Sequence, residues 1–168
     1  MKARFRGGFR LNIEFSLVMP RDAMGIPMVR RMVRSLLRAL GVAEECASDI
    51  LIATSEACTN AVRHGDPATR YEVTARIHDE RCELHVAVED RGPGLPALPR
   101  RQPPADVENG RGMLIMRTVM DDVSYEVAPG RSTAVRLSKR LAWEKDALAP
   151  HLARLCCRCR DGERCAAV

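Results

Sequence analysis

Apolar and polar residues alternate from Phe9 to Val18, with Phe9, Leu11, Ile13, Phe15 and Leu17 set against Arg10, Asn12, Glu14 and Ser16. A period of two predicts a half-buried strand, and Pro20, Arg21 and Asp22 end it. The period then changes. Met28, Met32, Leu36 and Leu40 recur every four residues, with Val33 and Leu37 beside them. This spacing predicts a helix over 28–40 that buries the methionine–leucine stripe and stops at Gly41. A second helix is predicted from Ala43 to Arg63, where Gly65 and Pro67 stop it. Residues 72–78 and 82–88 read as two strands joined by the polar turn Asp79-Glu80-Arg81, which makes a hairpin. A Pro- and Gly-rich loop follows over 91–110, then a short helix over 113–120. Residues 123–127 and 133–137 form a second hairpin around Pro129-Gly130. Ala142 to Leu155 reads as a last helix broken by Pro150, and Cys156 to Val168 shows no period.

Hairpin-linked strands and helices in a block predict an α+β fold, with helices on one face of a largely antiparallel sheet. The length of 168 residues suits one domain with a short appendage. The division expected is a domain at 1–140 and an extension at 141–168. With 46% hydrophobic and 29% charged residues the chain is not globally disordered. No run of about 18 apolar residues predicts a membrane span, and no signal segment follows the basic start, so a cytoplasmic location is expected. The net charge of +5 is carried almost wholly by arginine, since Lys2, Lys139 and Lys145 are the only lysines. The arginines are interleaved with acids and lack helix-turn-helix or zinc-finger spacing, so no direct nucleic-acid contact is expected. In that compartment seven cysteines do not imply a disulfide framework. Cys46, Cys58 and Cys82 fall within apolar patterns and are expected in the core.

Four segments carry candidate chemistry. On the second helix Ile50, Ala53, Thr54, Ala57, Cys58, Ala61 and Val62 share one broad face, and Glu56 and Asn60 stack at its margin. A carboxylate and an amide so placed either belong to a solvated face or look into a cleft. There they offer hard oxygen ligands for Mg²⁺ and a general base. Asp90-Arg91-Gly92-Pro93-Gly94 ends the apolar strand 82–88. It is either a tight turn or a place where backbone approaches a flat ligand. Asn109-Gly110-Arg111-Gly112 precedes Met113 and its helix. It is an ordinary start to that helix or an anion cradle at a positive helix end, and it matches neither the P-loop nor the Rossmann pattern. Gly130 to Leu137, containing Ser132 and Thr133, is a hairpin strand.

Taken together, in this order, the four segments resemble the ATP-binding domain of the GHKL superfamily. Within it they are most similar to the stand-alone anti-sigma factor serine/threonine kinases of bacterial partner-switching systems. Glu56 to Gly65 resembles the N-box and Asp90 to Gly94 the first glycine box. Gly110 to Met116, running into Met120-Asp121-Asp122-Val123, resembles the second glycine box, and Ser132-Thr133 the closing Gly-Thr region. The resemblance covers Phe9 to Arg140. It implies the Bergerat, or histidine-kinase-like ATPase, fold: a two-layer sandwich whose mostly antiparallel mixed sheet is covered on one face by helices. It also implies ATP and Mg²⁺ as cofactors. Asn60 is the implied Mg²⁺ ligand and Glu56 the catalytic group that activates the attacking hydroxyl. Asp90 accepts from the adenine amino group with help near Thr133, and Gly92 and Gly94 admit the ring. Gly110, Arg111, Gly112 and Met113 hold the phosphates, and residues 91–109 form the ATP lid, with Arg100 or Arg101 as its charge. Phosphoryl transfer needs such positioning and charge neutralisation more than covalent chemistry. Arg63 and His64 either cap the second helix or touch phosphate or partner.

Histidine kinases would need a phosphoacceptor helix upstream, and other relatives would need further domains, so a small stand-alone kinase is expected. The resemblance then implies an anti-sigma factor that sequesters a sigma factor and phosphorylates a Ser or Thr of an anti-anti-sigma (STAS-domain) partner. The alternative is a nucleotide-binding partner-switching adaptor without significant kinase activity. Arg30, flanked by Arg31 and Arg34, matches a sigma contact or belongs to a solvated face, and Thr59 matches a contact with the STAS partner. A homodimer is expected. Cys156, Cys157, Cys159 and Cys165 lie outside the resemblance. They are an inert terminus, a redox-sensing cluster or, with His151, zinc ligands.

Overall fold

The computed structural model describes residues 12–64, 68–78, 80–88, 110–128 and 131–148. Its elements run β1 (Asn12–Pro20), a short 3₁₀ turn (Ala23–Gly25), α1 (Ile26–Leu40), α2 (Glu44–His64), β2 (Arg70–His78), β3 (Arg81–Val88), α3 (Gly110–Val119), β4 (Asp122–Ala128) and β5 (Arg131–Arg140). The five strands form one sheet in the order β1-β2-β3-β5-β4. The expected α+β two-layer architecture is present. All four pairings are antiparallel, with no parallel pair among the described residues.

Alternation decides which face of the sheet is covered. Tyr71, Val73, Ala75 and Ile77 of β2, Cys82, Leu84, Val86 and Val88 of β3, and Val135 and Leu137 of β5 are buried beneath the helices. Burying each large side chain contributes about 1.5–3 kcal/mol. The other face stays polar. One register row reads Glu14, Arg76, Glu83, Ser138 and Asp122 across the sheet, with Arg76 Nη2 2.7 Å from Glu14 Oε2. Such exposed pairs contribute roughly 0–1 kcal/mol. A polar groove of about 390 Å³ crosses this face, lined among others by Glu14, Arg76, His85 and Arg136. It lies on the side of the sheet away from the helices.

The helical layer corrects one expectation. α1 buries Val29, Val33, Leu37 and Leu40, while Met28 and Met32 remain 49% and 42% exposed. Two apolar stripes one residue apart run along this helix, and the one containing branched Val29 and Val33 packs inward. α1 also begins two residues earlier than the pattern indicates, with Pro27 in its first turn. There the missing N–H costs nothing. Gly41 ends it at φ 79°, a left-handed conformation that side chains resist. α2 opens with Glu44 and Glu45 and ends with Arg63 and His64, matching its dipole at both ends. Its buried face is Ile50, Ala53, Thr54, Ala57, Cys58 and Ala61, as the periodicity predicts. Buried Thr54 donates to the Ile50 carbonyl at 2.6 Å. Cys46, Cys58 and Cys82 are buried and reduced, as expected.

β1 continues through Pro20, which pairs with Arg70. Proline is tolerated because β1 is an edge strand. Residues 142–147 are not the helix that the sequence suggests. They return to the α1–α2 turn, where the Ala43 N–H donates to the Ala142 carbonyl at 2.8 Å and the Glu144 N–H to the Gly41 carbonyl at 2.9 Å. Leu141 and Ala147 are buried there. Leu148 is helical; the rest of the expected last helix, from residue 149 on, and the four tail cysteines lie outside the described residues.

Candidate active site

The site is built where α3 meets α2. α2 lies between α1 and α3 and packs on each. Its small buried residues, Ala53, Ala57 and Ala61, let it lie close on the sheet, which leaves Glu56 and Asn60 half-buried on its flank. α3 starts at Gly110, three residues before the predicted start at Met113, so Gly110, Arg111 and Gly112 form its first turn. Gly112 is buried. A Cβ added there would stand 2.8 Å from Glu56 Oε2, 3.6 Å from Asn60 Oδ1 and 3.7 Å from Asn60 Nδ2. The second glycine motif therefore lies directly on the carboxylate–amide pair of α2. With glycine there, the Glu56 carboxylate can stand directly against the α3 backbone; a side chain would meet it.

This junction has the electrostatics of an anion site beside a cation ligand. The first turn of α3 carries no acidic residue, and the N–H groups of a helix's first turn have no partner inside the helix. The Asn60 amide oxygen and the Glu56 carboxylate, hard oxygen ligands, stand next to that turn. Arg111 is exposed and Met113 half-buried on the same turn. Among the described residues no group of three or more His, Cys, Asp or Glu side chains is arranged to hold a metal ion. The side chains and backbone present fit a nucleotide phosphate with Mg²⁺, because a helix N-terminus, a glycine cradle and an amide oxygen converge there.

The other predicted residues fall around this junction. Thr59 is half-buried on α2 next to Asn60, and Arg63 is exposed in the last turn of the same helix. Arg21 also meets the end of α2, its Nη1 donating to the Val62 carbonyl at 3.1 Å. Arg63 and His64, expected either to cap this helix end or to touch phosphate or partner, both lie in its last turn. Thr133 lies on β5, one residue before Ala134, which pairs with Ala87 near the end of β3. Its backbone is thus at the end of the sheet from which the chain runs on to Asp90. Asp90, Gly92 and Gly94 lie outside the described residues. Arg30 is exposed on α1, which packs elsewhere on α2, and it takes no part in the α2–α3 junction.

Two residues that the sequence reading passed over complete the assembly. Lys139 Nζ donates to Asp49 Oδ2 on α2 at 2.7 Å and to the Val119 carbonyl at the end of α3. Val135 and Leu137 point to the core on β5, so a lysine two residues further on is a visible break in the apolar alternation.

An open antiparallel sheet with one helical layer, and a glycine-opened helix set against a Glu–Asn pair, define a nucleotide-phosphate-binding domain. The family model described as histidine kinase-like ATPase domain matches residues 19–139. The chain belongs to that family, within the branch of anti-sigma kinases. The anti-sigma F factor of Bacillus subtilis (strain 168) is 30% identical over 142 residues, spanning 80% of this chain and 94% of that one. The serine-protein kinase RsbW of Bacillus licheniformis is 30% identical over 131 residues, spanning 71% of this chain and 81% of that one. The crystal structure of the RsbU and RsbW domains of Rv1364c from Mycobacterium tuberculosis shares the fold at a TM-score of 0.59. It is 20% identical and covers 77% of this chain and 32% of that one.

Proposed function

We propose that the protein is an ATP-dependent serine/threonine-protein kinase and anti-sigma factor of the cytoplasm. It binds a sigma factor and phosphorylates a serine or threonine of a STAS-domain anti-anti-sigma partner. The observation that carries this reading is Gly112 seated on Glu56 and Asn60. The names of the relatives, anti-sigma F factor and serine-protein kinase RsbW, support the biological role.

In this reading the first turn of α3, with Gly110, Arg111, Gly112 and Met113, holds the phosphates. Asn60 supplies its amide oxygen to Mg²⁺, and Arg63 adds positive charge at the end of α2. Mg-ATP supplies the phosphoryl group and neutralises charge on it. Glu56 accepts the proton of the partner's hydroxyl, and Asp90, Gly92, Gly94 and Thr133 receive the adenine. The catalytic unit occupies residues 1–140 and the extension 141–168. Thr59, beside Asn60, contacts the STAS partner, and Arg30 on α1 contacts the sigma factor. A homodimer is supported by the edge position of β1 and by exposed Val18, Met24, Met28 and Met32. Met28 and Met32 are i, i+4 neighbours on one face of α1, and contiguous exposed apolar side chains mark interaction surfaces.

The test is incubation with ATP, Mg²⁺ and candidate STAS proteins, with phosphate on the partner read by mass. Wild type is expected to phosphorylate one partner and Glu56→Ala to lose that activity. If both proteins bind ATP and sigma factor yet neither transfers phosphate, the kinase reading fails and the chain is a nucleotide-dependent adaptor.

A further inference from the structure

α3 is held to α2 at two points. At its N-terminal end Gly112 rests on Glu56 and Asn60. At its C-terminal end the Val119 carbonyl accepts from Lys139 Nζ, which also donates to Asp49 Oδ2 at 2.7 Å. Three consecutive β5 residues fix that end. Besides Lys139, the Asp121 N–H donates to the Ser138 carbonyl at 3.0 Å, and the Arg140 N–H donates to Asp121 Oδ2 at 2.6 Å. The Arg140 carbonyl also accepts from Cys46 Sγ on α2 at 3.7 Å, but among these three the side chain that bonds both helices is that of Lys139.

The two points are matched in spacing. Asp49 and Glu56 are separated by the same number of residues as Gly112 and Val119, which is two helical turns or about 10 Å on each helix. The helices are antiparallel here, so both contacts form together in only one axial setting and rotation of α3. Lys139 and Asp49 side chains are 17% and 31% exposed, so their attraction is screened less than that of the open-face pairs. The lysine also sits at a helix C-terminus, where a cation is favoured.

We propose that Lys139 and Asp49 are positioning residues for the phosphate site: their bridge sets where the first turn of α3 stands relative to Glu56 and Asn60. This rests on the kinase reading above. A displacement of about 1 Å at a reacting centre costs on the order of 100-fold in rate. A bridge two turns from the chemistry therefore acts on turnover without touching substrate.

The test compares ATP and AMP binding by calorimetry, and phosphotransfer, in wild type, Lys139→Met, Lys139→Arg and Asp49→Ala. Lys139→Met keeps the aliphatic stem and loses both hydrogen bonds. It is expected to weaken ATP binding about tenfold and phosphotransfer more, while AMP affinity stays within about twofold. Lys139→Arg, which retains donors for both acceptors, is expected to recover most of the ATP affinity. A folded Lys139→Met protein with wild-type ATP affinity and turnover overturns the inference, as does equal weakening of ATP and AMP. Should that variant not fold, Asp49→Ala decides on the same readout, because alanine favours the helix. A wild type that binds no ATP refutes the kinase reading instead.

Discussion

Replacing Gly112 by alanine is expected to separate stability from activity. The added Cβ would sit 2.8 Å from Glu56 Oε2, well inside the 3.5–4.0 Å at which non-bonded heavy atoms attract. The atom it meets is the far end of a flexible side chain, so the carboxylate swings away while the helix stays. Moving it off its rotamer costs about 0.5–1.5 kcal/mol. Against that, alanine is favoured over glycine within a helix by up to about 1 kcal/mol. The two terms nearly cancel, and for a chain of this size 1 kcal/mol moves Tm by roughly 2–4 °C. The melting temperature is therefore expected to stay within a few degrees of wild type. Phosphotransfer is expected to fall by about 10²–10⁴, the usual contribution of a positioned general base. Scanning fluorimetry and a phosphate-transfer assay on the same preparation read both quantities. Unchanged transfer would show that Glu56 does not act from the position seen here. A collapse of Tm would show that Gly112 is a packing residue first.

Three further outcomes follow from the same structure. Glu56→Gln keeps the shape at the junction and removes the base. It is expected to retain ATP affinity within about threefold by calorimetry while transfer drops about 10²–10⁴-fold. Gly41→Ala places a Cβ 2.7 Å from the Ala147 Cα at a φ of +79°. Left-handed strain alone costs about 1–2 kcal/mol, so chemical denaturation should show a loss at least that large. Stability is also expected to fall at alkaline pH. Burial pushes the Cys58 and Cys82 thiols from 9.0 up to about 12, and Tyr71 from 10.0 up to about 12. The Tyr71 hydroxyl is buried without a partner of hydrogen-bonding geometry, close to the Cys58 thiol. Above pH 9 the unfolded chain gives up thiol protons that the folded protein keeps. Stability is thus full below pH 9 and declines toward pH 12, by about 1.4 kcal/mol per pH unit for each thiol. Denaturant melts at pH 8, 10 and 11 check this, and equal midpoints would contradict it.

Much of the fold was legible because each element states its own period. The α2 face from Ile50 to Ala61 and the inward sets of β2 and β3 are where simple alternation places them. The phase of α1 is ambiguous in the sequence, because Met28-Met32-Leu36 and Val29-Val33-Leu37 differ by only one residue of rotation. Periodicity alone cannot choose between them; packing against the sheet selects the branched side chains. The sequence points to a start of α3 three residues after Gly110, because two glycines are poor helix formers, each costing up to about 1 kcal/mol. Contact with Glu56 and Asn60 outweighs that local preference. Those two residues and Gly112 were legible as motifs but not as neighbours. The Lys139–Asp49 bridge joins residues 90 apart in sequence. Its one local sign was a lysine on the core side of a strand.

The central claim is that the α2–α3 junction is a Mg-ATP site, and the direct measurement is calorimetric titration of ATP with Mg²⁺ into wild type and Asn60→Ala. The account predicts saturable binding by wild type and its loss in Asn60→Ala, with far-UV circular dichroism unchanged between the two. Equal ATP affinity in the two proteins would remove Asn60, and with it this junction, from the nucleotide site.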